Sequence, residues 1–196
     1  KIEFYYIETR EKKSSLLDRK KAKMDLSTTA KDVQTVIDFL GLKNKDFELF
    51  GTCWGASIIL QGLLDQSIDA PTVIVFSPMH KLWMNRFLLK YVIPILPNFL
   101  IKFLLKTIPS LLLLGDKATT QKRRTLTLIK RAVVWKWKKA AVAAADFELF
   151  GKLKSIEQDV IVVSGTHDRV HDINCYPRIA DEMPNSRFFY FGIDES

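Results

Sequence analysis

The chain has 196 residues, 47% apolar and 27% charged, with a net charge of +8. These are ordinary globular proportions, enough for one domain with a sizeable core, and the positive balance leans toward acidic partners such as phosphates, anionic lipid or an acidic protein. Two cysteines, Cys53 and Cys175, exclude a disulfide framework and fit a reducing, cytoplasmic compartment; no Cys/His cluster of zinc type is present, and neither metal nor cofactor is expected.

Ile2 to Ile7 reads as a strand, followed by a polar, lysine-rich connection from Glu8 to Lys23. Ser27-Thr28-Thr29 is a good N-cap region for a helix whose stripe is Ala30, Val33, Val36, Ile37 and Leu40, and Gly41 ends it. Phe47, Leu49 and Phe50 suit a short buried strand. Ala56 to Leu64 is apolar nearly all round, as a helix buried against a sheet should be. Thr72 to Phe76 is a continuous β-branched and aromatic run, which predicts a strand covered on both faces.

Residues 79–145 change character. His80 to Leu114 is rich in Leu, Ile and Phe, but its longest stretch without charge, Tyr91 to Ile101, is 11 residues with two prolines, too short and broken to span a bilayer. Lys117 to Ala145 holds nine Lys or Arg and no acid, and Leu126, Ile129, Val133, Trp137, Ala140 and Ala144 share one helical face. The sheet pattern resumes with a strand from Asp159 to Gly165. A short helix follows within Ile173 to Met183, broken at Pro177, and then a strand from Arg187 to Phe191. Alternating strands and helices imply a parallel α/β sheet with helices on both faces. The hexapeptide Asp-Phe-Glu-Leu-Phe-Gly occurs at 46–51 and again at 146–151, where it is expected to finish a helix.

Between the second strand and its helix lies Gly51-Thr52-Cys53-Trp54-Gly55. The spacing is Gly-x-nucleophile-x-Gly, with glycines where backbones approach closely and a strained residue at the apex. Alone the pattern is weak, since a structural turn with an inert cysteine reads the same way. Its value lies in the strand before it and the helix after it.

The order of parts resembles the α/β-hydrolase family. Tyr6 to Glu11 is similar to a strand and loop that runs Asp-x-Arg-Gly in many members, though the glycine is absent. Gly51 to Gly55 resembles the nucleophile elbow, and residues 79–145 resemble a helical cap. Gly165-Thr166-His167-Asp168 resembles the Gly-x-x-Asp after the seventh strand. The resemblance implies a core in two parts, 1–78 and 146–196, around a cap at 79–145. It implies Cys53 as nucleophile, the Trp54 N–H as one oxyanion donor, Asp168 as the acid that orients a histidine, and Gly51 and Gly55 as the elbow glycines. The histidine is expected beyond Ser196 and the second oxyanion donor before Lys1, with both ends of a larger domain outside the chain. Cysteine at the apex resembles the dienelactone hydrolases and polyhydroxyalkanoate synthases.

A thiol is a far better nucleophile as its anion, and a helix N-terminus and a paired histidine both favour that form. The expected reaction is cleavage of an ester, thioester or similar acyl bond in a small, apolar substrate through a Cys53 acyl-enzyme. An acyltransferase or polyester synthase would use the same intermediate, and a non-catalytic binding module would share only the fold. His167 and His171 read as loop histidines and Cys175 as packing. Trp135 and Trp137 are candidate pocket walls. The basic segment 117–139 is a candidate contact for an anionic carrier or a membrane surface, and no specific nucleic acid is expected.

Overall fold

The computed structural model describes residues 2–82, 84–112, 126, 127, 129, 131–165 and 173–192. Four strands, β1 (Glu48–Thr52), β2 (Thr72–Phe76), β3 (Asp159–Gly165) and β4 (Ser186–Phe191), form one sheet in the order β1-β2-β3-β4. Every pairing is parallel. Helix α1 (Leu26–Phe39) precedes β1, α2 (Trp54–Leu64) joins β1 to β2, and α5 (Cys175–Glu182) lies between β3 and β4. Between β2 and β3 the chain makes a π-helical turn (Leu88–Val92), α3 (Asn98–Leu112) and α4 (Val134–Ala143). Among the described residues no helix is long and apolar enough to cross a membrane.

The register sets Leu49, Val73 and Val160 side by side, then Gly51, Val75 and Val162. These rows are buried, in one core with Ala30, Val33 and Ile37 of α1, Ile58 to Leu60 of α2 and Ile179 of α5. Burying each of the Val, Leu and Ile side chains contributes about 1.5–3 kcal/mol. The opposite face, with Phe50, Ile74, Ile161 and Phe189, is half-buried or exposed. Helices α1 and α2 pack so closely that a Cβ on Gly62 would lie 2.9 Å from the Ala30 Cβ.

Local chemistry shifts several predicted boundaries. The N-cap of α1 is Asp25, not the Ser-Thr-Thr run: its carboxylate accepts from the Thr28 N–H at 2.7 Å and the Thr28 hydroxyl at 2.8 Å. An aspartate accepts with two oxygens, so it satisfies two donors where a hydroxyl satisfies one. At the other end Gly41 takes φ +63°, with Leu42 N–H donating to Ile37 O and Gly41 N–H to Asp38 O, a Schellman closure. Pro177 does not break α5. It is the third residue, where its missing N–H would have had no helical acceptor.

Residues 2–9 are not a strand: the segment pairs with nothing in the sheet, and Ile2, Phe4 and Tyr6 are exposed. A β-like sequence gains a strand's hydrogen bonds only from a neighbour. The connection after it is irregular yet held by cationic side chains. Arg10 grips Asp32 of α1 through two nitrogens and donates to Lys23 O at 2.9 Å. From α4, Lys136 donates to Lys12 O and Ser15 O at 2.5 Å each, and Lys139 to Arg19 O at 2.6 Å. Lys136 is buried, which lowers its affinity for a proton, while Glu11 nearby raises it.

The second hexapeptide does not finish a helix. Helix α4 ends at Ala143, and residues 146–151 turn back toward the sheet. There Leu149 N–H donates to His80 O at 2.9 Å, and Glu148 forms an isolated antiparallel bridge with Lys81. The chain therefore leaves the sheet after β2 and returns to the same point before β3. Asp146, between Arg86 and Lys90, has its carboxyl held below the usual range, chiefly by Lys90.

Candidate functional site

The carboxyl end of a parallel sheet is where open α/β folds place ligands, and Cys53 stands there. It follows β1 directly and precedes the first residue of α2. Its backbone has φ 50° and ψ −116°, outside the helical and strand regions. A non-glycine residue held this way stores about 1–3 kcal/mol of strain. Two bonds hold it: Cys53 N–H donates to Phe76 O at 2.9 Å, and Ser57 N–H donates to Cys53 O at 3.1 Å. The Cys53 side chain does not cap α2, and the residue is exposed.

The reversal from β1 into α2 is tight. A Cβ on Gly51 would sit 2.6 Å from Ile59 Cδ1 and 3.0 Å from the Ala56 nitrogen, so any larger residue would push on α2. Gly55 differs: a Cβ there would meet nothing within 4 Å among the described residues, so close backbone approach does not explain it. Trp54 opens α2, and its N–H has no carbonyl within the helix to reach. Its indole packs edge-on against Phe147 of the returning segment, centroids 6.3 Å apart.

Two serines complete this edge, and neither was singled out from the sequence. Ser77 follows β2 with φ 47°, and its N–H donates to Val163 O at 2.8 Å. The elbow and the end of β2 are thus consecutive steps of one ladder, Cys53 to Phe76 and Ser77 to Val163. Ser57 is fully buried. Its hydroxyl accepts from Met79 N–H at 2.9 Å and faces two acceptors, Met79 O at 2.9 Å and Cys53 O at 3.2 Å. It ties the first turn of α2 to the start of the insertion. A lone hydroxyl in the run Ala56 to Leu60 was the available signal, since a buried polar group needs a partner.

Asp168, His167 and His171 lie outside the described residues, just beyond the end of β3 at Gly165. His80 packs on Phe150, centroids 4.8 Å apart, and the Arg178 guanidinium stands 4.5 Å from the same ring. Cys175 is buried in the core at the start of α5. Trp135 lines a cleft of about 470 Å³ with Arg19, Lys23, Met24 and Pro94, and a second, of about 490 Å³, lies by Glu157 and Arg187. Cys53 lines neither.

The fold as a whole is similar to that of several solved structures. An esterase (EaEST) from Exiguobacterium antarcticum superposes with a TM-score of 0.72 at 19% identity, over 94% of this chain and 70% of the other. The chain has the α/β-hydrolase fold. MenH from S. aureus superposes at 0.70 and 15% identity, over 92% of this chain and 71% of that one. The enol-lactonase from Burkholderia xenovorans LB400 gives 0.67 and 14%, over 93% and 70%. No family model matches the sequence, and no curated protein is similar to it in sequence.

Proposed function

We propose that Cys53 is the nucleophile of a hydrolase that cleaves an ester, thioester or similar acyl bond. One observation carries this reading: an exposed thiol stands on a strained apex, φ 50° and ψ −116°, between a parallel strand and the helix after it. Glycine would adopt that conformation without strain, so a cysteine held there carries a cost that a nucleophilic task would offset. Two of the structural neighbours are named an esterase and an enol-lactonase, both acyl-bond chemistries.

In the proposed reaction the Cys53 sulfur attacks the acyl carbon. The carbonyl oxygen gains charge and is met by the Trp54 N–H; one such donor typically contributes a hundred- to a thousandfold in rate. The carbon–oxygen or carbon–sulfur bond to the leaving group then breaks, and that group takes a proton. Water attacks the resulting Cys53 thioester, releasing the acid and restoring the thiol. The base is a histidine oriented by Asp168. Gly51 lets α2 close on β1, and Ser57 fixes the elbow against the insertion at residues 79–145, which serves as the cap.

The test is incubation with p-nitrophenyl acetate, followed by mass spectrometry of the digested protein. A single acetyl adduct on the Cys53 peptide, absent from Cys53→Ala, is the expected result. Acylation confined to Cys175, or none under native conditions, would return the elbow to a structural turn.

A further inference from the structure

The insertion between β2 and β3 leaves a row of large apolar side chains in solvent. Phe87, Tyr91, Ile95, Phe99 and Phe103 recur every fourth residue and are all exposed, Ile95 at 80% and Phe99 at 76%. The Phe87 and Tyr91 rings touch, with centroids 5.1 Å apart. The inward side of the same segment is filled by Leu89 and Ile101, which are buried, so these five side chains stand away from the packing side. Exposed lysine Lys102 sits between Phe99 and Phe103.

Charge says what such a face suits. Residues 79–145 hold fourteen Lys or Arg against one acid, a net of +13, while the rest of the chain holds 16 Lys or Arg against 21 acids, a net of −5. Pairing the row with a second copy would bring two such charges together, which electrostatics opposes. Aromatic and aliphatic side chains interleaved with lysine, on a strongly cationic unit, match a helix lying in a bilayer interface. Helix α3, with 15 residues, is about 22 Å long, short of the roughly 30 Å hydrocarbon core, so it suits lying along the surface.

We infer that this row is a docking face for an anionic phospholipid surface. The five side chains enter the acyl boundary while exposed Lys102 meets the headgroups and the positive balance of the insertion draws the face to an anionic surface. Docking there holds the insertion at the membrane, where an apolar acyl substrate would be concentrated, but it does not depend on the chemistry of Cys53.

The experiment is flotation of the full chain with vesicles of phosphatidylcholine, with and without phosphatidylglycerol. Binding to the anionic vesicles is expected, fading at high salt because exposed charges are screened. Phe99→Gln/Phe103→Gln should lower the partition coefficient at least about tenfold, since two aromatic anchors leave the interface. Both side chains are exposed, so the melting temperature should hold; if it does not, Ile95→Gln in the turn before α3 serves the same comparison. Cys53→Ala should bind as the parent does. Equal binding to neutral vesicles, no binding, or unchanged binding by the aromatic variants would overturn the inference. So would a dimer in sedimentation that the double variant dissolves.

Discussion

The two elbow glycines look equivalent in sequence, and the structure makes them opposites. At Gly51 an added methyl would lie 2.6 Å from Ile59 Cδ1, 3.0 Å from the Ala56 nitrogen and 3.1 Å from the Ala56 Cα. The isoleucine tip can rotate away, but the Ala56 backbone moves only if α2 lifts off β1. Forcing a methyl into a packed contact costs about 1–3 kcal/mol. For a chain of this size that lowers the melting temperature by roughly 2–12 °C, at about 2–4 °C per kcal/mol. At Gly55 the space is open and the residue is helical, so Gly55→Ala should be neutral or stabilising by up to about 1 kcal/mol, through lower backbone entropy in the unfolded chain. Calorimetry of both variants measures the gap, and hydrolysis of p-nitrophenyl acetate should fall with Gly51→Ala because lifting α2 carries Cys53 and Trp54 with it. Equal melting temperatures, or a Gly55→Ala variant less stable than Gly51→Ala, would refute this account of the elbow.

Three further outcomes are expected. Lys136→Met leaves Lys12 O and Ser15 O without their donor and should cost about 1–3 kcal/mol in urea titration. Burial holds Lys136 below its usual 10.5. The folded chain thus gives up that proton before the unfolded one does, and the parent's stability relative to Lys136→Met should rise as pH climbs toward 10.5. Asp25→Ala should cost about 0.5–2 kcal/mol at neutral pH. Burial raises the Asp25 carboxyl, yet the bonds from Thr28 outweigh it and hold it below 3.8, so that difference should be complete above pH 3.8 and shrink as acid protonates the folded state. Cys53→Gly should be more stable than Cys53→Ala by about 1–3 kcal/mol, because glycine adopts φ 50° freely, and neither should form an acyl adduct.

The sheet was legible because its strands announce themselves locally. Thr72 to Phe76 and Asp159 to Gly165 are unbroken β-branched runs, and the observed limits match them. What escaped the sequence depends on partners distant along the chain. Asp-Phe-Glu-Leu-Phe-Gly supplies β1 at its first occurrence, where β2 offers a ladder, and a turn at its second, where its backbone meets His80 and Lys81 in place of a strand. Ile2 to Ile7 has strand composition and no such neighbour. The reversal from β1 through Cys53 into α2 was readable from spacing, whereas Ser57 and Ser77 acquire their places only when β2 and the segment after it fold beside Cys53. Lys136 and Lys139 read as part of the basic segment 117–139 facing an outside partner, but the carbonyls they meet belong to residues 12 to 19.

The bond from Leu149 to His80 has a consequence for how this sequence can vary. It pins the two ends of the insertion to each other, so to the four strands everything between is a single closed loop. The entropy of closing a loop grows only with the logarithm of its length, and doubling it costs about 0.6 kcal/mol. Segments can therefore lengthen, shorten or be exchanged inside that closure with little effect on strand register, while the elbow a few residues away stays as it is. The insertion can drift in sequence and length on its own clock, and the geometry around Cys53 can be inherited unchanged.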